Sequence, residues 1–164
     1  MPVLWLFTDP QRLPDPRRAA SALPRGLCGV VLRHDDAALG HDLARICRVR
    51  RNALVVAGNW RLAAALGAGV HLRRGIGPGR GGLVTSSAHN RVELHRARRA
   101  GATLVFLSPV FATASHLGAA GLGVARWAAM ARGGAVAALG GIDGASVRRL
   151  PRCCRAVGAI GAWA

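Results

Sequence analysis

Residues 104–123 read LVFLSPVFATASHLGAAGLG. The apolar run Leu104–Leu107, closed by Pro109, has the pattern of a β-strand buried on both faces. Beyond the proline the chain changes character: Thr113, Ser115 and His116 supply polar groups, while Gly118, Gly121 and Gly123 leave the backbone open to close approach. A strand that empties into such a loop predicts a ligand site at its carboxyl end.

Working outward from this strand, seven further short apolar runs are found, giving candidate strands at residues 3–8, 28–33, 53–56, 69–72, 83–87, 103–107, 135–139 and 156–160. Amphipathic stretches at 37–49, 91–100 and 124–132 carry leucine, alanine or valine at helical spacing, and Asn90 with Glu93 resembles a capping box at a helix start. Strands alternating with helices argue for a parallel sheet, and eight such units for an α/β fold of the (β/α)8 TIM-barrel type. With 164 residues the chain is short for that fold. The deficit is placed at residues 73–82, RRGIGPGRGG, a Pro/Gly loop where a fourth helix belongs, and after Ala162, where little remains for an eighth. The expectation is one compact barrel domain over residues 1–164, with a shortened fourth βα unit and little or no eighth helix. A doubly wound open sheet is the alternative, although no G-x-G-x-x-G comes after the first strand.

Composition narrows the chemistry. The formal charge of +16 is carried by arginine alone, because the chain has no lysine, which removes Schiff-base catalysis and a P-loop. The arginines are spread along the sequence without a basic helix or RNA-binding motif. Together with abundant Ala, Gly and Pro they read as compositional bias, and no nucleic-acid partner is expected. Cys28, Cys47, Cys153 and Cys154 form no C-x-x-C and are read as buried or incidental thiols. Seven acidic residues, Asp9, Asp15, Asp35, Asp36, Asp42, Glu93 and Asp143, leave little for a metal site. No long apolar run or signal-peptide pattern is present, so a cytoplasmic protein without membrane contact is expected.

In a barrel, chemistry belongs at the carboxyl ends of the strands. Those ends carry Asp9; Arg33, His34 and Asp35; Ala57 and Gly58; His71; Ser87 and His89; Thr113 to His116; Gly140 and Gly141; and Gly161. Glycines after the last two strands suit a phosphate held by backbone N–H groups, and equally suit tight strand-to-helix turns. His71 lies in an apolar strand and reads as structural; His34 and His116 are candidate ligand contacts; His41 and His95 fall on helices facing solvent.

Several ordered segments resemble the thiamine phosphate synthase and thiazole tautomerase superfamily. They are LWLFTD (4–9), VVLR (30–33), LAAALGAGVHL (62–72), SAHN (87–90), the PVFATASH run (109–116) and ALGGI (138–142). The resemblance implies a barrel that binds thiazole phosphate and, in synthases, joins it to a pyrimidine diphosphate with Mg2+ assisting pyrophosphate departure. That half of the pattern is thinned here. Arg33 is kept, but Val31 and Asp35 stand at the neighbouring glutamine and lysine positions, Ala57 and Gly58 at the Asn-Asp pair, and His116 at the sixth-loop lysine. The expected carboxylate is missing from residues 73–82, where Arg73, Arg74 and Arg80 stand as candidate substitutes for the metal.

The thiazole half is better preserved. His89 matches the histidine implied to act as acid and base in tautomerases, a reaction that needs a near-neutral proton carrier and an anion clamp but no metal. A helix-entry residue making a local hydrogen bond is the competing reading of His89. The expected site therefore comprises His89 as the catalytic residue, with Arg33, Ser87, Thr113, Ala114, Ser115, His116, Gly140, Gly141, Ile160 and Gly161 binding substrate and no metal ligand. The expected ligand is thiazole phosphate or its carboxylate, with no cofactor. Mg2+ and a pyrimidine diphosphate enter if the chain is an active synthase. An enzyme, isomerase or transferase, is expected; a non-catalytic binder of a thiamine precursor and an arginine-driven nucleic-acid-associated barrel are the alternatives, and a homo-oligomer is compatible with each.

Overall fold

Chain order and spatial order coincide around a closed ring of eight parallel strands in the computed structural model, which describes residues 1, 3–77, 82–113 and 120–160. The strands are β1 (Leu4–Phe7), β2 (Cys28–Leu32), β3 (Ala53–Ala57), β4 (Gly69–Leu72), β5 (Val84–Ala88), β6 (Leu104–Leu107), β7 (Val136–Leu139) and β8 (Ala156–Ala159). The ring closes where Leu4, Trp5 and Leu6 of β1 pair with Val157, Gly158 and Ala159 of β8. Each strand lies within one residue of its expected bounds. The apolar runs are therefore barrel staves, and the fold is the (β/α)8 barrel.

Alternation along each strand sorts the core. Trp5, Phe7, Val31, Val55, Leu104, Phe106, Ala137 and Ala156 point inward and pack together. Their neighbours Leu6, Val30, Leu32, Val56, Val70 and Leu72 face the helices. Inside, Phe106 meets Phe7 edge-on, centroids 4.8 Å apart, and Trp5 at 5.5 Å. Gly29 makes room for this cluster, since a Cβ there would overlap the Trp5 indole.

Among the described residues, five α-helices form the outer layer: α1 (Arg17–Ala22), α2 (Ala37–Arg50), α3 (Trp60–Ala65), α4 (Arg91–Arg99) and α5 (Val124–Ala131). Asp36, Asn59 and Asn90 cap α2, α3 and α4, each side-chain oxygen accepting a backbone N–H three residues on. The indole N–H of Trp127 on α5 donates to the Leu107 carbonyl at 3.0 Å, tying that helix to the end of β6.

The layer is thin in two places. A 3₁₀ turn, Ser146–Arg149, stands where a seventh helix is usual. Between β4 and β5 the described residues form no helix; an isolated bridge pairs Arg73 with Ile76, and Gly75 lies against the α4 backbone at Arg96 and Ala97. This is the shortened fourth unit. Cys28 and Cys47 are buried, whereas Cys153 is exposed. No described helix is long and apolar enough to cross a membrane.

Candidate functional site

The carboxyl ends of the strands surround a cavity of about 840 Å³, of the size that holds a small metabolite. Its floor is Phe7 and His71. Its walls differ in chemistry, and each can be traced to particular strand ends.

After β1, Asp9 folds the chain back on itself: its carboxylate accepts the backbone N–H groups of Gln11 and Arg12 at 3.0 and 3.1 Å. The same carboxylate stands 3.5 Å from the Arg33 guanidinium. Burial pushes the Asp9 pKa up, but those two hydrogen bonds and the Arg33 charge outweigh it and hold the group below the ordinary carboxylate value. Arg12 and Arg33 thereby reach the cavity beside a fixed anion.

Arg33, Gly58 and Arg73 are the residues immediately after β2, β3 and β4. Gly58 has φ +77°, a conformation that favours glycine, and the Arg73 guanidinium lies 3.7–3.8 Å from where its Cβ would be. Arg74 donates its backbone N–H to Ser87 Oγ at 3.2 Å, and its guanidinium lies 3.8 Å from Glu93. Behind them Ser86 Oγ accepts from the Gly75 N–H at 3.0 Å and donates to the Leu72 carbonyl, pinning the short connection to β5.

His89 comes after β5 and precedes the Asn90 cap of α4. The Glu93 carboxylate accepts from the His89 backbone N–H at 2.8 Å and lies 2.9 Å from its Nδ1. The expected capping box is thus shifted by one residue: Asn90 accepts from the Glu93 N–H, but Glu93 reaches back to His89. Burial raises the Glu93 pKa, and the hydrogen bonds from His89 with the His89 and Arg74 charges more than offset this, leaving it lowered. An anionic Glu93 favours the tautomer protonated at Nδ1.

His71 is buried in the floor, its Nδ1 2.9 Å from Thr85 Oγ1 and its ring edge-on to Phe7. Burial, with the charges of Arg33 and Arg73, depresses its pKa to about 3, so it is a neutral structural group.

Opposite the arginines, Gly140, Gly141 and Ile160 line the wall after β7 and β8. Gly140 and Gly141 both have positive φ, and a Cβ on either would collide with Pro109 or with Phe111 and Ala112. Backbone conformation and packing therefore both favour glycine here, and the main chain is left bare of side chains at the cavity wall. Asp143 also lines the wall, but its carboxylate is engaged by the Ala145 and Ser146 N–H groups.

Of the residues expected in the site, Arg33, Ser87, His89, Thr113, Gly140, Gly141 and Ile160 all line this cavity. Ala114, Ser115, His116 and Gly161 lie outside the described residues. His34 turns away to Thr8 Oγ1, 2.9 Å from its Nδ1, while His41 and His95 are exposed on helices. Two features of the site have no counterpart in the sequence reading: Arg12 at the cavity, and the pairing of Glu93 with His89. A carboxylate four residues beyond a candidate acid-base histidine, across a helix start, is the available signal for the second.

The described residues do not present the donor set a Mg2+ ion needs. Among those described, no three His, Cys, Asp or Glu side chains converge to hold a metal. Where the resemblance places a metal-binding pair there are Ala57 and Gly58, with a guanidinium lying against the latter.

A closed parallel barrel with a polar cavity at the carboxyl ends of its strands defines a (β/α)8 barrel. The family model for thiamine monophosphate synthase matches residues 4–160, and the chain belongs to that family. No curated protein matches it. Among solved structures it resembles thiamine phosphate pyrophosphorylase from Pyrococcus furiosus, with 19% identity and a TM-score of 0.75 over 96% of this chain and 85% of that one. It also resembles a structure described as native KDPGal, at 14% identity and a TM-score of 0.67, over 97% and 82% of the two chains. At these identities the likeness is one of fold.

Proposed function

We propose that the chain is a thiamine-biosynthesis barrel of the tautomerase kind, binding a thiazole phosphate carboxylate and moving a proton on it. The observation that carries this reading is the His89–Glu93 pair at the cavity wall, a histidine whose tautomer is set by a carboxylate 2.9 Å from Nδ1. In this reading the Gly140, Gly141 and Ile160 backbone takes the phosphate; Gly161, also proposed to bind it, lies outside the described residues. Thr113, Ser87 and Arg33 engage its polar edge, and Ala114, Ser115 and His116 are the further proposed contacts, outside the described residues. His89 Nε2 removes a proton from one position of the thiazole system and returns it at another. The reaction is an isomerisation without net oxidation or loss of atoms, and it requires neither metal nor cofactor.

A second reading, an active synthase, is favoured by the arginines lining the other wall, since departing pyrophosphate needs concentrated positive charge. The two are separated by incubating purified protein with the non-aromatic thiazole carboxylate phosphate, and separately with thiazole phosphate plus pyrimidine diphosphate, with EDTA or with Mg2+. The tautomerase reading expects isomerisation in EDTA, reduced roughly 100-fold or more by His89→Gln while ligand affinity is kept. Isomerisation unaffected by His89→Gln, or coupling to the pyrimidine with no isomerisation, refutes it. Binding of the phosphate with neither reaction would identify a non-catalytic binder.

A further inference from the structure

The ends of β2 and β4 bring Arg33 and Arg73 to the cavity, and Gly58, at the end of β3 between them in strand order, lies against the Arg73 guanidinium. We propose that this part of the cavity is a metal-free site for a diphosphate or comparable polyanion, in which the Arg73 guanidinium, seated against Gly58 and flanked by Arg33, supplies the positive charge that a divalent cation would otherwise bring.

Four observations support it. The Arg73 guanidinium packs 3.7–3.8 Å from the position of a Gly58 Cβ, so any side chain there would point at it, and the glycine leaves that face bare. Arg73 makes no ion pair among the described residues, unlike Arg33, which shares Asp9 at 3.5 Å, and Arg74, which shares Glu93 at 3.8 Å. The cavity lining holds four arginines, Arg12, Arg33, Arg73 and Arg74, against Asp9 and Asp143, a formal excess of two positive charges, and Asp143 is committed to its own turn. Finally, Arg33 and Arg73 line the same cavity as the buried His71, and the charges of both help to keep that ring neutral.

The chemistry suits a polyanion. Guanidinium groups present planar donor forks that match phosphate oxygens and are charged at every accessible pH. Low-dielectric walls strengthen each contact relative to water. Diphosphate can bridge the two guanidinia, whereas a single phosphate reaches fewer donors. The site faces the glycine wall across the cavity and does not depend on which small molecule that wall holds.

The test is calorimetric titration of the purified chain with inorganic pyrophosphate and with inorganic phosphate, each in EDTA and in excess Mg2+. Pyrophosphate is expected to bind in EDTA, more tightly than phosphate, and Mg2+ to leave its affinity unimproved. Arg73→Ala should weaken it roughly 10- to 100-fold, as for loss of charge-assisted hydrogen bonds. Arg73→Lys should recover part of the loss, because a point charge replaces a fork. Gly58→Asp, which sets a carboxylate on the guanidinium, should weaken binding as well, and Arg48→Ala on α2 should not. Unchanged thermal melting and unchanged thiazole phosphate binding establish that the Arg73 variants are folded.

Binding that appears only with Mg2+, or that survives Arg73→Ala, overturns the proposal. Wild-type protein that binds thiazole phosphate but not pyrophosphate sinks this site alone. Pyrophosphate binding without thiazole phosphate binding sinks the functional reading and leaves this one standing.

Discussion

Lowering the pH should unfold this barrel partly through one buried ring. His71 has a folded pKa of about 3, set mainly by burial and then by the Arg33 and Arg73 charges, against 6.5 for an ordinary histidine. Its folded pKa is depressed, so between these values the unfolded chain binds a proton that the folded chain refuses. Stability therefore rises with pH across that window and is lost as pH falls from 6.5 towards 3. From about pH 7.5 to about pH 4.5 the linkage amounts to about 2.6 kcal/mol, governed almost wholly by the unfolded pKa. The perturbation is His71→Gln, which retains a polar group opposite Thr85 Oγ1 but cannot titrate in this range. Urea unfolding of both proteins at the two pH values isolates the contribution, because carboxylates such as Asp9 and Glu93 titrate alike in each and cancel in the difference. The variant should be less stable at pH 7.5 yet lose about 2.6 kcal/mol less on acidification. Equal losses in the two proteins would mean that His71 is protonated in the folded state and that the floor of the cavity is wetter than its 4% exposure implies.

The contacts at α4 and α5 set two further outcomes. Glu93→Gln keeps the cap geometry but removes the anion 2.9 Å from His89 Nδ1; isomerase turnover should fall about 10- to 100-fold with an altered pH profile and little change in KM, whereas a purely structural role would lower the melting temperature without reshaping the profile. Trp127→Phe leaves the Leu107 carbonyl without its indole donor, at a cost of about 1–3 kcal/mol read in urea unfolding; a change within error would show that water replaces the bond.

The barrel is legible in the sequence because its strands are short apolar runs bounded by turn residues, and a parallel ladder buried on both faces demands that pattern. LVFL at β6 and GVHL at β4 can hardly be placed otherwise. The shortened fourth unit is legible too: the sequence has a Pro/Gly stretch after β4, and the described residues there form no helix. Arg33, Ser87, His89, Thr113, Gly140, Gly141 and Ile160 are placed by a rule about strand ends, and they meet at one cavity. What stays hidden depends on side-chain direction. The sequence pattern assigns Glu93 to the helix cap, and only its position shows the carboxylate turned to His89. Arg12 reaches the cavity because Asp9 bends the chain after β1, a turn that composition does not announce. Likewise the stacking of Arg73 on Gly58 joins the ends of two separate strands, β3 and β4, which no local pattern encodes.

In most barrels of this architecture each stave has its own buttress, so repairs to one need not disturb the next. Here α4 stands beside β5, receives Gly75 of the neighbouring connection on its backbone, and carries Glu93 in its first turn. One buttress thus serves two bays and also steadies the residue proposed to move the proton. With no helix among the described residues between β4 and β5, the separation between scaffold and chemistry is lost here, and mutational drift along α4 is constrained from both sides at once.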